Sequence, residues 1–181
     1  MIAAPVAGTA VRVPTAAAPA LLLTPRGLIA FGRLLPCAIG RGGVVADKRE
    51  GDGGTPAGVH RIVGMWHRPD RVAAPAPWSQ PIGLRDLWCD DPAHEAYNTA
   101  VRSPFAGSAE RLHRADRLYD IVIVLDWNVA ARRPGAGSAI FMHRWRKPGH
   151  PTEGCIALDP ADLAWLAGRL TLGTKVIVPR L

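Results

Sequence analysis

Cysteine is scarce in this 181-residue chain: three occur, Cys37, Cys89 and Cys155, and none belongs to a Cys-x-x-Cys pair. An odd number of thiols leaves at least one unpaired, which excludes a scaffold held together by disulfides alone. Aromatic residues make up only 6% of the chain and charged residues 20%. No apolar run approaches the roughly 20 residues of a membrane-crossing helix, since Leu21 to Leu23 is followed at once by Thr24, Pro25 and Arg26. A secretion signal is not evident either: Met1 to Ala10 carries no basic residue, and Pro5, Pro14 and Pro19 break the apolar stretch such a signal requires. There is no internal repeat and no Gly/Ser linker dividing the chain, so one core is expected.

Glycine and proline are abundant instead, at 19 and 17 residues. Their density excludes a coiled coil and points to short strands joined by turns. With 48% hydrophobic residues the chain has enough apolar surface to build an interior. The net charge of +7 favours anionic partners, but Arg12, Arg41, Arg71, Arg102, Arg144 and Arg180 are scattered rather than gathered in a stripe with interleaved aromatics. Nucleic acid is therefore not the expected partner.

Residues 1 to 20 read as a loose Ala/Pro-rich arm with a short strand at Ala10 to Val13, and 21 to 181 as the folded domain. Leu21 to Leu23, Gly27 to Phe31, Leu34 to Ile39 and Ala57 to Met65 are apolar runs punctuated as in a β-meander. The intervening 48 to 58 must be a loop, and 66 to 104 reads as a long irregular excursion shaping a cleft. Ser108 opens a helix-like start that predicts one or two turns to about Ala115. Tyr119 to Val124 and Ser138 to His143 read as central strands. Asp159 caps a helix whose Leu163, Leu166, Ala167 and Leu170 recur at helical spacing, with Gly173 at its exit and a closing strand at Lys175 to Val178. The fold class is mostly β with one late helix.

Chemistry concentrates at the end of the Ser138 to His143 strand and in the segment Thr152-Glu153-Gly154-Cys155. A free thiol is only a few per cent thiolate at pH 7, and a nearby imidazole can stabilise the anion as an ion pair, so a Cys–His combination makes a nucleophile. Gly154 lets the backbone approach a substrate closely, and amides around it can point at an oxyanion. The bland reading of Cys155 is a small buried hydrophobe. His150 with His143 and Cys155 would make a zinc site only with a fourth ligand, which the spacing does not offer. Cys37 reads as core, Cys89 as a residue lining the cleft, and His60, His67, His94 and His113 as surface or packing residues. Asn128 reads as a turn residue, and Arg144, Arg146 and Lys147 either as a solvated face or as partners for carboxylates.

These motifs resemble the catalytic signature of the YkuD-type L,D-transpeptidases, in which a His at a strand end precedes, across a loop, a Ser/Thr-His-Gly-Cys sequence. His143 and Thr152-Glu153-Gly154-Cys155 occupy those places, and Lys48, Glu50-Gly51-Asp52-Gly53 and Thr55-Pro56-Ala57-Gly58 resemble the family's upstream loop. The resemblance spans about residues 21 to 178. It implies a β-sandwich-type catalytic domain in which Cys155 attacks a peptidoglycan stem peptide, with His143 as general base. Gly154 and Cys155 would supply oxyanion amides, Thr152 would support the loop or contact substrate, and Glu153 and Arg144 would lie at the substrate. No cofactor or metal is implied, and the cell envelope is the implied location. The acyl-enzyme would pass to an amine, as a transpeptidase, or to water, as a hydrolase; a non-catalytic peptidoglycan-binding module is the third reading. The chain departs from the common pattern at Glu153 in place of His, Arg144 in place of Gly and Ala157 in place of Arg.

Overall fold

The computed structural model describes residues 20–180. The arm expected over 1–20 and its strand at Ala10 to Val13 lie outside the described residues, except Ala20, which already belongs to the first strand. The elements are β1 (Ala20–Thr24), β2 (Gly27–Ala30), β3 (Arg33–Leu35), β4 (Cys37–Ala38), β5 (Val44–Val45), β6 (Thr55–Pro56), β7 (Gly58–His67) and β8 (Gln80–Pro81). After them come β9 (Asp86–Cys89), β10 (Ala100–Arg102), β11 (Ala109–Arg111), β12 (Ile121–Leu125), β13 (Phe141–Arg144), β14 (Ile156–Leu158), α1 (Pro160–Ala167) and β15 (Lys175–Val178). Among the described residues the fold is mostly β with one short helix.

The main sheet runs β3-β2-β1-β15-β7-β12-β13-β14-β4, with β8 also on β7. Its hinge is the ten-residue β7, whose first part pairs with β15 and whose second part pairs with β12. The pairing register shifts between Val124 and Leu125, a bulge of the kind that bends a sheet. Leu21, Leu23 and Leu28 from one leaf thereby meet Ile123, Met142 and Ile156 from the other in the main core, which Leu163 and Leu166 of α1 join.

Period-two alternation decides what lies on the other face. Along β12, Ile121, Ile123 and Leu125 enter the main core, whereas Val122 and Val124 enter a second cluster with Trp88, Tyr119 and Phe141. A small sheet ordered β10-β9-β11 supplies Trp88, whose ring meets Phe141 edge-on at 5.2 Å between centroids.

Several expectations need correction. The helix expected from Ser108 is strand β11: Glu110 sits opposite Trp88, and pairing with β9 overrides a weak local start. The 66 to 104 excursion contains β8, β9 and β10, and so is partly regular. Asp159 does cap α1, accepting from the Ala161 amide at 2.8 Å, but the helix ends at Gly168, and Gly173 serves the later turn into β15. The strand expected from Ser138 begins only at Phe141, because Ala139 has φ of 52° and cannot continue a ladder. Cys89 is fully buried rather than in the cleft. Cys37 packs against the core as expected, and burial pushes its thiol up to about 11. Among the described residues no helix is long and apolar enough to cross a membrane.

Candidate active site

Alternation also places the two residues of interest. Met142 of β13 points into the main core, so its neighbours Phe141 and His143 face the other way. In the adjacent parallel β14, Ile156 and Leu158 enter the same core, which turns Ala157 and Cys155 to the face shared with His143. His143 lies opposite Ala157 in the register, so Cys155, two residues earlier, is its diagonal neighbour. Such neighbours lie about 7–8 Å apart at the backbone, within reach of long side chains. The 12-residue separation in sequence thus becomes adjacency on one face of the sheet.

Both residues line a cavity of about 620 Å³, together with Thr152, Glu153, Glu110, Tyr119 and Ser138 among others. The imidazole is buried at 7% exposure, with the Tyr119 ring edge-on at 5.3 Å. Its Nδ1 is 2.7 Å from the Arg144 carbonyl oxygen. A carbonyl only accepts, so Nδ1 carries the proton and Nε2 keeps a lone pair, the tautomer a general base needs. Burial lowers the imidazole to about 4, against the pull of that carbonyl.

The Cys155 sulfur receives the Phe141 amide at 3.4 Å and donates to the Ala139 carbonyl at 3.3 Å. Among the described residues no hydrogen bond joins it to His143. Burial raises the thiol to about 12, and the negative charge of Glu110 adds to this. Both shifts run against ionisation, so burial favours the neutral thiol and neutral imidazole over the ion pair expected from the residue types.

The loop before Cys155 is tightly held. Thr152 Oγ1 donates to the Cys155 carbonyl at 2.6 Å and accepts from the Gly154 amide at 3.1 Å. Thr152 is thus a loop support. Its backbone bonds Ile39 and Arg41, and the Gly154 carbonyl accepts from Thr55 Oγ1 at 2.9 Å. With the Gly154 amide occupied, the Cys155 amide is the donor left for an oxyanion, since no acceptor for it is found among the described residues. The upstream loop is built around Lys48, which is buried and ion-paired with Asp52, while Glu50 accepts from Ser138 at 2.9 Å and from Tyr97.

Glu153 stands at the rim, largely exposed and paired with Arg41. Arg144 is not brought into the cavity: its guanidinium lies 3.6 Å from Asp120, and its side chain lines a separate depression with Arg117 and Arg146. Asn128 is a turn residue, with φ of 53° and its amide bonded to the Arg133 and Gly137 carbonyls. Among the described residues no group of three or more His, Cys, Asp or Glu is arranged to hold a metal.

Sequence reading missed Glu110, Arg114 and Tyr119. Tyr119 donates to Glu110 Oε1 at 2.6 Å, and Arg114 lies 3.8 Å from the same carboxylate while forming a two-point pair with Asp116 at 2.9 and 2.6 Å. Burial raises Glu110, whereas Tyr119 and Arg114 oppose the rise. No local signal marks these residues: Glu110 reaches the cavity through the β9–β11 pairing, Arg114 from the loop after β11 and Tyr119 from the residues just before β12.

Two solved structures are similar to the chain. One is an L,D-transpeptidase from Mycobacterium smegmatis, 14% identical, with 90% of this chain and 58% of that one covered at a TM-score of 0.42. The other is L,D-transpeptidase 3 from Mycobacterium tuberculosis in complex with a faropenem-derived adduct, 15% identical, with 90% and 61% covered at a TM-score of 0.42. The chain thus spans about three-fifths of the length of either. No curated protein matches it significantly. Residues 21–178 match the YkuD family, described as the L,D-transpeptidase catalytic domain, and that match takes in both the Lys48 to Gly58 loop and the His143 to Cys155 segment. The chain belongs to the YkuD family of L,D-transpeptidase catalytic domains.

Proposed function

We propose that this chain is a cysteine-dependent L,D-transpeptidase that acts on peptidoglycan stem peptides through a thioester acyl-enzyme in the cell envelope. The observation that carries the reading is the shared facing of His143 and Cys155 into one cavity, with the imidazole held in its base tautomer by the Arg144 carbonyl. The substrate carbonyl enters beside Cys155, and the thiol proton moves to His143 Nε2 as the sulfur attacks. Concerted transfer suits a neutral pair, because neither ion need exist before the new bond forms. The Cys155 amide faces the developing oxyanion, the protonated imidazole returns its proton to the leaving amine of the terminal D-amino acid, and a thioester remains. An amine of a second stem then resolves it.

Hydrolysis by water at the same thioester is the second reading, favoured by the open cavity around Cys155. Incubation with a stem tetrapeptide, followed by intact-mass measurement and peptide mapping, tests the first step. The expected result is a mass gain equal to the tripeptide acyl group, located on Cys155; no adduct with either tetrapeptide or a carbapenem probe overturns the assignment. Product masses with and without an acceptor amine then separate crosslinking from trimming.

A further inference from the structure

Four carboxylates line the catalytic cavity: Glu50, Asp90, Glu110 and Glu153. They differ in what already holds them. Glu50 is engaged by Tyr97 and Ser138, and Glu153 is paired with Arg41 at the rim. Asp90 keeps Oδ1 buried away from solvent with no hydrogen-bond partner. Glu110 alone of the four combines a fixed orientation with open capacity. Tyr119 anchors Oε1, no hydrogen bond reaches Oε2 among the described residues, and the side chain is 30% exposed. Arg114 forms an ion pair with Oε1 at 3.8 Å but spends its hydrogen bonds on Asp116, so Oε2 stays open. The Tyr119 ring that holds Glu110 also packs against His143, so the carboxylate is fixed relative to the base.

We propose that Glu110 selects the acyl acceptor by pairing with a protonated primary amine and taking one of its protons. The proposal rests on the acyl-transfer reading above. A carboxylate with a free oxygen in the cavity that holds the thioester attracts an ammonium by charge as well as by hydrogen bond, whereas neutral water or an alcohol offers the hydrogen bond alone. The balance is direct. The ammonium gives one proton to Glu110, the freed nitrogen attacks the thioester carbonyl, and the C–S bond breaks. The second nitrogen proton passes through His143 to the departing sulfur, leaving an amide, a neutral thiol and a protonated Glu110 that later releases its proton to solvent. Burial of Glu110 makes it a stronger base for this purpose than an exposed carboxylate.

The test uses the full chain, acylated with the tetrapeptide and offered Nα-acetyl-lysine or methanol as acceptor. For Glu110→Gln, the ratio of aminolysis to hydrolysis should fall about tenfold, the methanolysis ratio should hold, and acylation should quicken severalfold because a negative charge near a sulfur that is losing its proton is gone. A folding defect would slow all three. Glu110→Asp, which keeps the charge, should retain most of the amine preference. An unchanged amine ratio in Glu110→Gln, or an equal loss with methanol, overturns the proposal. A wild-type chain that forms no thioester at all overturns the acyl-transfer reading, and this one with it.

Discussion

Exchange of Cys155 for alanine should abolish acyl-enzyme formation and leave the fold intact, and exchange of His143 for glutamine should slow acylation by about a thousandfold. Alanine keeps the Cβ and removes one sulfur atom held by two weak hydrogen bonds, so the exchange costs little packing. His143 is different, because its effect depends on pH. The imidazole lies at about 4 in the folded chain and at an ordinary 6.5 when unfolded. Its folded value is depressed, so the unfolded chain takes up the proton first as pH falls. The associated stability is present above 6.5 and lost between 6.5 and 4, by at most about 3 kcal/mol. Thermal unfolding of wild type should therefore weaken over that window more than that of His143→Gln. The same shift keeps the base unprotonated down to about pH 4, so the acid limb of kcat/KM should lie well below the usual histidine range. For the thiol the direction is opposite. At about 12, only about one molecule in ten thousand is thiolate at pH 8, and iodoacetamide labelling of Cys155 should be slow there and climb with pH. Rapid labelling at pH 6, or full acylation by Cys155→Ala, would refute the neutral-pair mechanism.

The pair was legible in sequence because its geometry is local. Thr152-Glu153-Gly154-Cys155 is contiguous and follows the strand that carries His143 across one short loop, and the register between that strand and the next sets the two residues on one face. The helix cap at Asp159 and the closing strand Lys175–Val178 were legible for the same reason: each depends on neighbours within a few residues. What escaped depends on distant pairing. Glu110 reaches the cavity because Ala109–Arg111 pairs with Asp86–Cys89, and nothing in Ser108-Ala109-Glu110-Arg111 distinguishes that strand from a helix start. Arg144 shows the converse failure. It sits beside the base in sequence, but alternation turns its side chain away to Asp120, so only its carbonyl serves the site.

That the nucleophile loop works as a fixed unit leads to the second large effect, Gly154→Ala. Gly154 has φ of 138°, a conformation that strains any residue with a side chain. A Cβ there would stand 2.8 Å from the Gly54 carbonyl oxygen and 3.4 Å from Ile140 Cδ1. The Ile140 methyl can shift, but the Gly54 backbone cannot. The Gly54 amide is bound by Asp52 at 2.7 Å, and the next residue bonds both Gly43 and the Gly154 carbonyl itself. Relief must come from displacing Gly154, which moves the Cys155 amide off the oxyanion and breaks the Thr55 contact. We expect a loss of about 3 kcal/mol, from strain and one broken hydrogen bond. For a chain of this size that is a fall of about 10 °C in Tm. Acylation should drop at least about a hundredfold, as when an oxyanion donor is removed. Gly149→Ala is the matched control in the same loop: its φ of 70° is also left-handed, but a Cβ there meets nothing within 4 Å. That variant should lose only about 1 kcal/mol and acylate normally. Equal behaviour of the two variants, by thermal unfolding and acylation rate, would mean that the contact with Gly54 does not hold the nucleophile in place.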